Sequence, residues 1–310
     1  MATIGETDLD VFPLCLGGNV FGWTANQEQS FAVLDAYAAA GGNFIDTADS
    51  YSWWADGNTG GESETIIGRW LASRGNRDEM VIATKVGMHP ERRNLRARTI
   101  REAAEESLRR LGTDRIDLYY AHLDDPTTPL EETLGAFDEL VRAGKVRYVA
   151  ASNYDAGRLE EALEVAEREG FSRFVALQPE YNLVARDRYE GELARTVESA
   201  GLAAIPYRAL ASGFLTGKYR ADTDVDSPRA RQASTHLDER GLDTLDVLDE
   251  ISAEIGVPVA TIALAWLAAQ PTVVSVIASA RTPEQLADLL PMVDLKLTPE
   301  QLDRLSDASE

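Results

Sequence analysis

The sequence predicts an α/β fold, a closed (β/α)8 TIM barrel built as a single domain over residues 1–310. Three observations carry that expectation. Short apolar, β-rich runs alternate with helical segments of about ten to fifteen residues, which is the pattern of βαβ units feeding a parallel sheet. Eight such runs follow one another with no break in composition, which favours a closed barrel over an open doubly wound sheet. No Gly-x-Gly-x-x-Gly follows any strand, so a Rossmann fold lacks its main support.

The strands are expected at Leu14–Gly17, Asn43–Asp46, Met80–Lys85, Ile116–His122, Val146–Ser152, Phe174–Gln178, Leu202–Tyr207 and Val273–Ala278. Each is apolar along its length rather than alternating, as a strand buried on both faces should be. Helices are expected at about Glu28–Ala40, Ser63–Ser73, Arg98–Leu111, Leu130–Ala143, Asp155–Glu169 and Asp187–Ala200, then as a pair at Thr244–Ile255 and Pro258–Gln270. Two more are expected at Pro283–Leu290 and Pro299–Asp307. The stretch Tyr219–Leu237 is long, irregular and rich in Asp, Arg, Ser and Thr, the composition of a lid or a solvated connector.

A net charge of −22 makes a phosphate backbone or an anionic membrane surface an unfavourable partner, so neither nucleic acid nor membrane binding is expected. No apolar run approaches the roughly 18 residues of a membrane span, and Met1–Asp10 lacks the pattern of a signal peptide. A cytoplasmic location is the simplest expectation. The single cysteine, Cys15, lies in an apolar run and is expected in the core without a disulfide. With three histidines, one cysteine and no His-Glu-x-x-His, a metal site is not expected.

In a barrel of this kind the chemistry sits at the carboxyl ends of the strands. Those ends carry Gly17-Gly18-Asn19, Asp46, Lys85, His122, Ser152-Asn153, Gln178, Tyr207-Arg208 and Ser279-Ala280-Arg281. Taken singly, Lys85 is an ordinary solvated strand end, His122 a bonded core histidine, Asp46 a turn residue and Tyr51 a packed aromatic. Together, an acid, a lysine, a phenol and an imidazole from three adjacent strand ends suit proton transfer to a carbonyl oxygen. A phenol with an ordinary pKa near 10 donates poorly at neutral pH unless a cation stabilises its phenolate. Lys85 supplies the cation, Asp46 holds the ammonium, and His122 donates a hydrogen bond to the oxygen as negative charge develops.

The segments Phe44-Ile45-Asp46-Thr47-Ala48-Asp49-Ser50-Tyr51, Ala83-Thr84-Lys85 and Asp117-Leu118-Tyr119-Tyr120-Ala121-His122 resemble the catalytic tetrad motifs of the aldo-keto reductases, and the resemblance runs from about Leu14 to the C-terminus. It implies carbonyl reduction with Tyr51 as general acid, Lys85 and Asp46 tuning it, and His122 orienting the carbonyl. It also implies NADPH/NADP+ bound in an extended conformation, with a small-molecule carbonyl compound as substrate. Gly18, Asn19 and Asp46 are expected beside the cofactor, Ser152, Asn153 and Gln178 on the nicotinamide carboxamide, and Tyr207 stacked on the ring. The segment 210–219, with Leu210, Ser212, Gly213 and Lys218, is similar to the loop that wraps the pyrophosphate, where its glycines admit close approach. Ser279, Arg281 and Gln285 resemble the segment that holds the adenosine 2′-phosphate, with Arg281 as a bidentate partner at a helix start.

Three positions depart from the family pattern. Ser279 stands where glycine is usual, Asp288-Leu289 where a Glu-Asn pair commonly holds the adenine end, and Arg208-Ala209 where Ser-Pro often follows the stacking aromatic. Arg208 either reaches the pyrophosphate or faces solvent. NADH is the less favoured cofactor, because Arg281 has little to bind without a 2′-phosphate. A second function class stays open, a cofactor-binding, redox-sensing or regulatory subunit like the channel-associated members of this family, although no partner-binding extension is expected. Phe21, Trp23, Trp53, Trp54, His89, Leu123, Asp124 and Tyr181 lie on rim loops, with Trp23, Trp53, Trp54 and Tyr181 expected to wall a pocket for a flat or sugar-like apolar face. In the long loop, Arg220, Arg229 and Arg231 are placed to close over an anionic cofactor.

Overall fold

A computed structural model describes residues 1–220 and 225–310. A short antiparallel hairpin, β1 (Ala2–Thr3) and β2 (Asp10–Val11), precedes the barrel and was not expected from the sequence. Its two-residue strands are too short to show a period. The barrel strands are β3 (Leu14–Gly17), β4 (Phe44–Asp46), β5 (Val81–Val86), β6 (Ile116–Ala121), β7 (Val146–Ser152), β8 (Phe174–Gln178), β9 (Ala203–Ala204) and β10 (Val276–Ala278). They pair in parallel, in sequence order, with β10 beside β3. The remaining seam is closed where Ala204 donates to the Thr272 carbonyl at 2.8 Å, and Val274 and Ile277 donate to Ala204 and Pro206 at 3.1 and 2.9 Å.

The expected seventh strand, Leu202–Tyr207, is therefore much shorter as a ladder than its apolar run. Pro206 has no N–H to contribute, and the chain continues as single bonds from Ile205 to Leu177 and from Tyr207 to Pro179.

Helices follow the strands: α1 (Gln27–Ala39), α2 (Glu62–Arg74), α3 (Ala97–Leu111), α4 (Leu130–Arg142), α5 (Ala156–Glu169), α6 (Glu192–Ser199), α7 (Ala230–Ala233), α8 (Glu239–Ile255), α9 (Val259–Ala268), α10 (Pro283–Ala287) and α11 (Pro299–Ala308). The Asn26 side chain accepts from Gln29 N while Gln29 returns the bond, so α1 begins on a reciprocal cap. Two helices differ from expectation. Gly191, at φ 93°, separates α6 from the turn at Arg186–Arg188, so Asp187–Ala200 is not one helix. The α10 helix stops at Ala287 and a tight turn over Leu290–Val293 replaces its last residues, since Pro291 cannot donate a helical bond. The stretch Tyr219–Leu237 also carries helical turns, α7 and Ser234–His236, although its residues 221–224 lie outside the described residues.

Strand pleating sorts the side chains into two cores. On β5, Val81 and Ala83 face the barrel lumen with Cys15, Phe44, Leu118 and Tyr120, whereas Ile82 and Val86 face the helices. The hairpin completes the lumen: Ile4, Leu9 and Val11 are at most 1% exposed and pack with Phe44, Val81 and Leu118. Each such apolar burial contributes roughly 1.5–3 kcal/mol. One end of the lumen is thus plugged by hydrocarbon, and the polar strand ends gather at the other. Among the described residues, no single helix is long and apolar enough to cross a membrane.

Candidate active site

The register that pairs Asp46 with Ala83, and Lys85 with Tyr120, puts Asp46 and Lys85 on the lumen side of neighbouring strands. Lys85 is fully buried, and its Nζ donates to Asp46 Oδ2 at 2.5 Å and to the Thr47 carbonyl at 2.8 Å. It also donates to the Tyr51 hydroxyl at 2.9 Å, while that hydroxyl lies 3.3 Å from Asp46 Oδ2. The other Asp46 oxygen accepts from Gln178 Nε2 at 2.9 Å. One carboxylate thus fixes both the ammonium and an amide that the sequence assigns to the cofactor.

Burial pushes the Tyr51 phenol well above the ordinary tyrosine range, and the Asp46 carboxylate beside it adds to the effect. Burial pulls the Lys85 ammonium down, while Asp46 opposes that pull. Lys85 Nζ stands 2.9 Å from the phenol oxygen, where its charge would bear on a phenolate.

His122 stands across from Tyr51, with ring centroids 6.0 Å apart. Its backbone carbonyl accepts from Asn153 Nδ2 at 2.8 Å, and its Nδ1 is buried without a hydrogen-bond partner among the described residues. Burial first, then the positive charges of Lys85 and Arg93, hold the imidazole well below its ordinary value of 6.5. The ring is neutral at pH 7 and has one N–H to give.

These groups open onto one cavity of about 1080 Å³. Asn19, Asp46, Tyr51, His122, Ser152, Asn153, Gln178, Tyr207 and Arg208 line it, followed by Leu210, Ser212, Gly213, Lys218, Ser279, Arg281, Gln285 and Asp288. Gly18 lies behind the wall, where its carbonyl accepts from Ser63 Oγ at 2.8 Å. Gly17 takes its place on the lining, and a Cβ there would come within 2.6 Å of Ser279 Oγ. Ser279 in turn donates to Asn19 Oδ1 at 2.7 Å. The Tyr207 hydroxyl donates to Asn153 Oδ1 at 2.8 Å, which ties two expected nicotinamide contacts together.

Arg208 lines the cavity, pairs with Glu180 at 3.0 Å and is about half exposed. Among the described residues, non-glycine backbone with positive φ concentrates here, at Ser52, Asn153, Arg208, Ala211 and Ser212, with Thr272 the exception. Such strain collects where surrounding structure holds a binding geometry.

The aromatic wall is smaller than expected. Trp23 and Trp54 line the cavity with their rings 5.6 Å apart, and Leu123 joins them. Trp53 is 45% exposed and lies outside the lining. Tyr181 is no pocket wall: it is buried against Tyr189 and Trp266, with its hydroxyl donating to Glu190 at 2.7 Å. Phe21 is in the core, His89 bonds the Thr59 carbonyl at 2.9 Å, and Asp124 pairs with Arg158. All four follow strand ends in sequence, but the loops turn them into the body of the protein. In the long loop, Arg220 is turned away to Asp249 on α8 at 2.5 Å, and Arg231 is exposed. Arg229 alone of the three lines the cavity, 5.5 Å above the Trp23 ring. Met88, Arg93 and Gln232 line it too and were not foreseen, since nothing in their spacing marks them.

A family model described as "Aldo/keto reductase family" matches residues 13–310. The uncharacterized oxidoreductase YrpG of Bacillus subtilis (strain 168) is 36% identical over 98% of this chain and 94% of its own length. A probable voltage-gated potassium channel subunit beta of Oryza sativa subsp. japonica is 35% identical over 97% of this chain and 94% of its own. The norsolorinic acid reductase stcV of Emericella nidulans is 35% identical over 96% of this chain and 78% of its own. With the barrel and its polar strand ends described, these matches place the chain in the aldo/keto reductase family.

Proposed function

We propose that this protein is an NADP(H)-dependent oxidoreductase that reduces an aldehyde or ketone to an alcohol. The observation that carries the reading is the Lys85 ammonium bridging Asp46 and Tyr51 on the wall of a large cavity. The cation content of that wall supports an anionic cofactor. Arg229 and Arg281 line it without a carboxylate partner among the described residues, and burial, then the charge of Arg281, pulls the Arg229 guanidinium down. Two neighbouring cations held this way suit a phosphate between them. NADPH would supply a hydride to the carbonyl carbon. Tyr51 then delivers its proton to the carbonyl oxygen, His122 hydrogen-bonds that oxygen, and Lys85 offsets the charge left on the phenol. Ser152, Asn153, Gln178 and Tyr207 would hold the nicotinamide end, and Arg281 with Arg229 the phosphorylated end.

Two tests bear on the reading. NADPH oxidation against a panel of aldehydes and ketones should show turnover, and Tyr51→Phe should lower kcat by about 10²–10⁴-fold while NADPH still binds. Unchanged kcat in that variant removes the assignment. Arg281→Ala should weaken NADPH by roughly tenfold to a hundredfold and leave NADH nearly unaffected. Equal losses would mean that Arg281 serves the fold or a shared part of the two cofactors. A regulatory subunit is the second reading, favoured by the likeness to the rice channel subunit. Cofactor binding with no turnover on the whole panel would favour it.

A further inference from the structure

Among the described residues, the cavity wall carries five cationic side chains, Arg93, Arg208, Lys218, Arg229 and Arg281, against two acidic ones, Asp46 and Asp288. In a chain of net charge −22 that local excess is a constructed feature. Four of the five belong to the segments assigned to the cofactor. Arg93 does not: it comes from the loop between β5 and α3, which also gives Met88 to the lining, and its charge acts on His122. Its neighbour Arg92 is tied to Glu106, and Asp124 across the rim is taken by Arg158. Arg93 has no ion-pair or hydrogen-bond partner among the described residues, and it is exposed. Among the described residues, and apart from Asp46, which pairs with Lys85, no acidic residue lines the carbonyl end of the cavity, where Trp23, Trp54, Met88 and Leu123 form apolar walls.

We propose that the carbonyl substrate carries an anionic group, such as a carboxylate, at the end remote from its reacting carbonyl, and that Arg93 binds that group. This rests on the carbonyl-reductase reading above and names the substrate class for the same site. The arrangement divides the work by chemistry. The substrate's carbonyl meets Tyr51 and His122, its apolar body lies along Trp54 and Met88, and its charge meets a guanidinium whose planar fork suits a carboxylate. The anion also offsets the positive charge that Arg93 places near His122, so the imidazole is disturbed least when the correct substrate is present.

The test compares 4-carboxybenzaldehyde with benzaldehyde, which shares the ring and the carbonyl and lacks the charge. For the unaltered protein, kcat/KM with NADPH should favour the carboxylate by about tenfold, since a charged hydrogen bond at an exposed rim lies at the lower end of its usual range. Arg93→Ala should erase the preference, Arg93→Glu should invert it, and Arg93→Lys should restore part of it, each read as the ratio of kcat/KM for the two aldehydes, in which any effect of the Arg93 charge on His122 cancels. Because Arg93 is exposed and unbonded, these variants should melt at the parent temperature. Equal kcat/KM for the two aldehydes in the unaltered protein, or a preference that survives Arg93→Ala, overturns the proposal. Binding of 4-carboxybenzyl alcohol, followed by quenching of indole fluorescence, reads the same contact without turnover. Weaker binding in Arg93→Ala with no oxidation of NADPH or NADH by any aldehyde would sink the reductase reading and leave the anion contact standing. Equal binding in both proteins overturns the contact itself.

Discussion

Two buried charge clusters lie back to back across strand β5, and adjacent residues feed them. Lys85 points into the lumen and meets Asp46 at 2.5 Å, while Thr84 points to the helix layer and donates to Glu64 Oε1, also at 2.5 Å. Glu64 is fully buried on α2, and its other oxygen accepts from Arg110 Nε of α3 at 2.6 Å. Up to this point the clusters match, each with a buried carboxylate and a cation. The difference is Asp49. It is fully buried on the helix side, and neither of its side-chain oxygens has a hydrogen-bond partner among the described residues. Burial, and then the nearby Glu64 carboxylate, raise its pKa to about 7, only partly opposed by Arg92 and Arg110. The lumen cluster balances its acid and keeps a proton on the phenol. The outer cluster adds a second carboxyl group, Asp49, beside Glu64, and the Glu64 charge favours a proton on Asp49.

The contrast is broken most severely at Lys85. Lys85→Met leaves Tyr51 and Asp46 3.3 Å apart with no cation between them, so kcat should fall by at least about 10²–10⁴-fold in single-turnover NADPH oxidation. The outer cluster should answer to substitution in stability rather than in rate. Arg110→Met strands the buried Glu64 carboxylate and should lower the unfolding free energy by about 3–5 kcal/mol in urea titrations, with kcat of the folded fraction near the parent value. A large kcat loss at full stability would merge the two clusters into one functional unit.

Asp49 sharpens the comparison through pH. Its folded pKa is raised above the ordinary 3.8, so it favours the folded state most at acid pH and loses that contribution as pH rises from about 4 through about 7. The loss approaches about 4 kcal/mol at full ionisation, an upper figure that rearrangement around the carboxylate would reduce. Asp49→Asn, which mimics the protonated form, should therefore be more stable than the parent at about pH 8, by a smaller margin at about pH 5, and similar to it at about pH 3. Parallel stability curves for the two proteins would show that Asp49 does not carry the proton. The smallest effect is expected at His122. Half-buried, with Lys85 and Arg93 opposing its positive charge, it should stay neutral from about pH 6 to 8, and its imidazole proton resonances should not titrate near 6.5.

Much of this molecule was legible in its sequence. The eight βα units follow from apolar runs of strand length separated by helical periods, because both patterns are set by local geometry along the chain. The polar residues at strand ends were legible for the same reason. Once parallel strands share a direction, Asp46, Lys85, His122 and Gln178 reach one rim whatever the loops do. The hairpin plug, the break at Gly191 and the truncated ladder at Pro206 were not, since each depends on two or more residues or on a pairing partner distant in sequence.

Direction, by contrast, belongs to tertiary structure. Tyr181 and Trp54 read alike as rim aromatics, yet one packs on Trp266 and the other faces the cavity. Arg220 and Arg229 read alike as clamp residues, yet one pairs with Asp249 and the other stands over Trp23. Thr84 and Lys85 are neighbours, and the pleat sends them to opposite clusters. The sequence by itself determined which elements form, their order, and which chemical groups arrive at the strand ends, because those are consequences of local period and strand polarity. Only the folded chain decided which loop residues turn inward, which carboxylate lacks a partner among the described residues, and that burial raises the Tyr51 phenol. Those outcomes are sums of desolvation and charge over groups that the chain separates by tens of residues and the fold brings within a few ångströms.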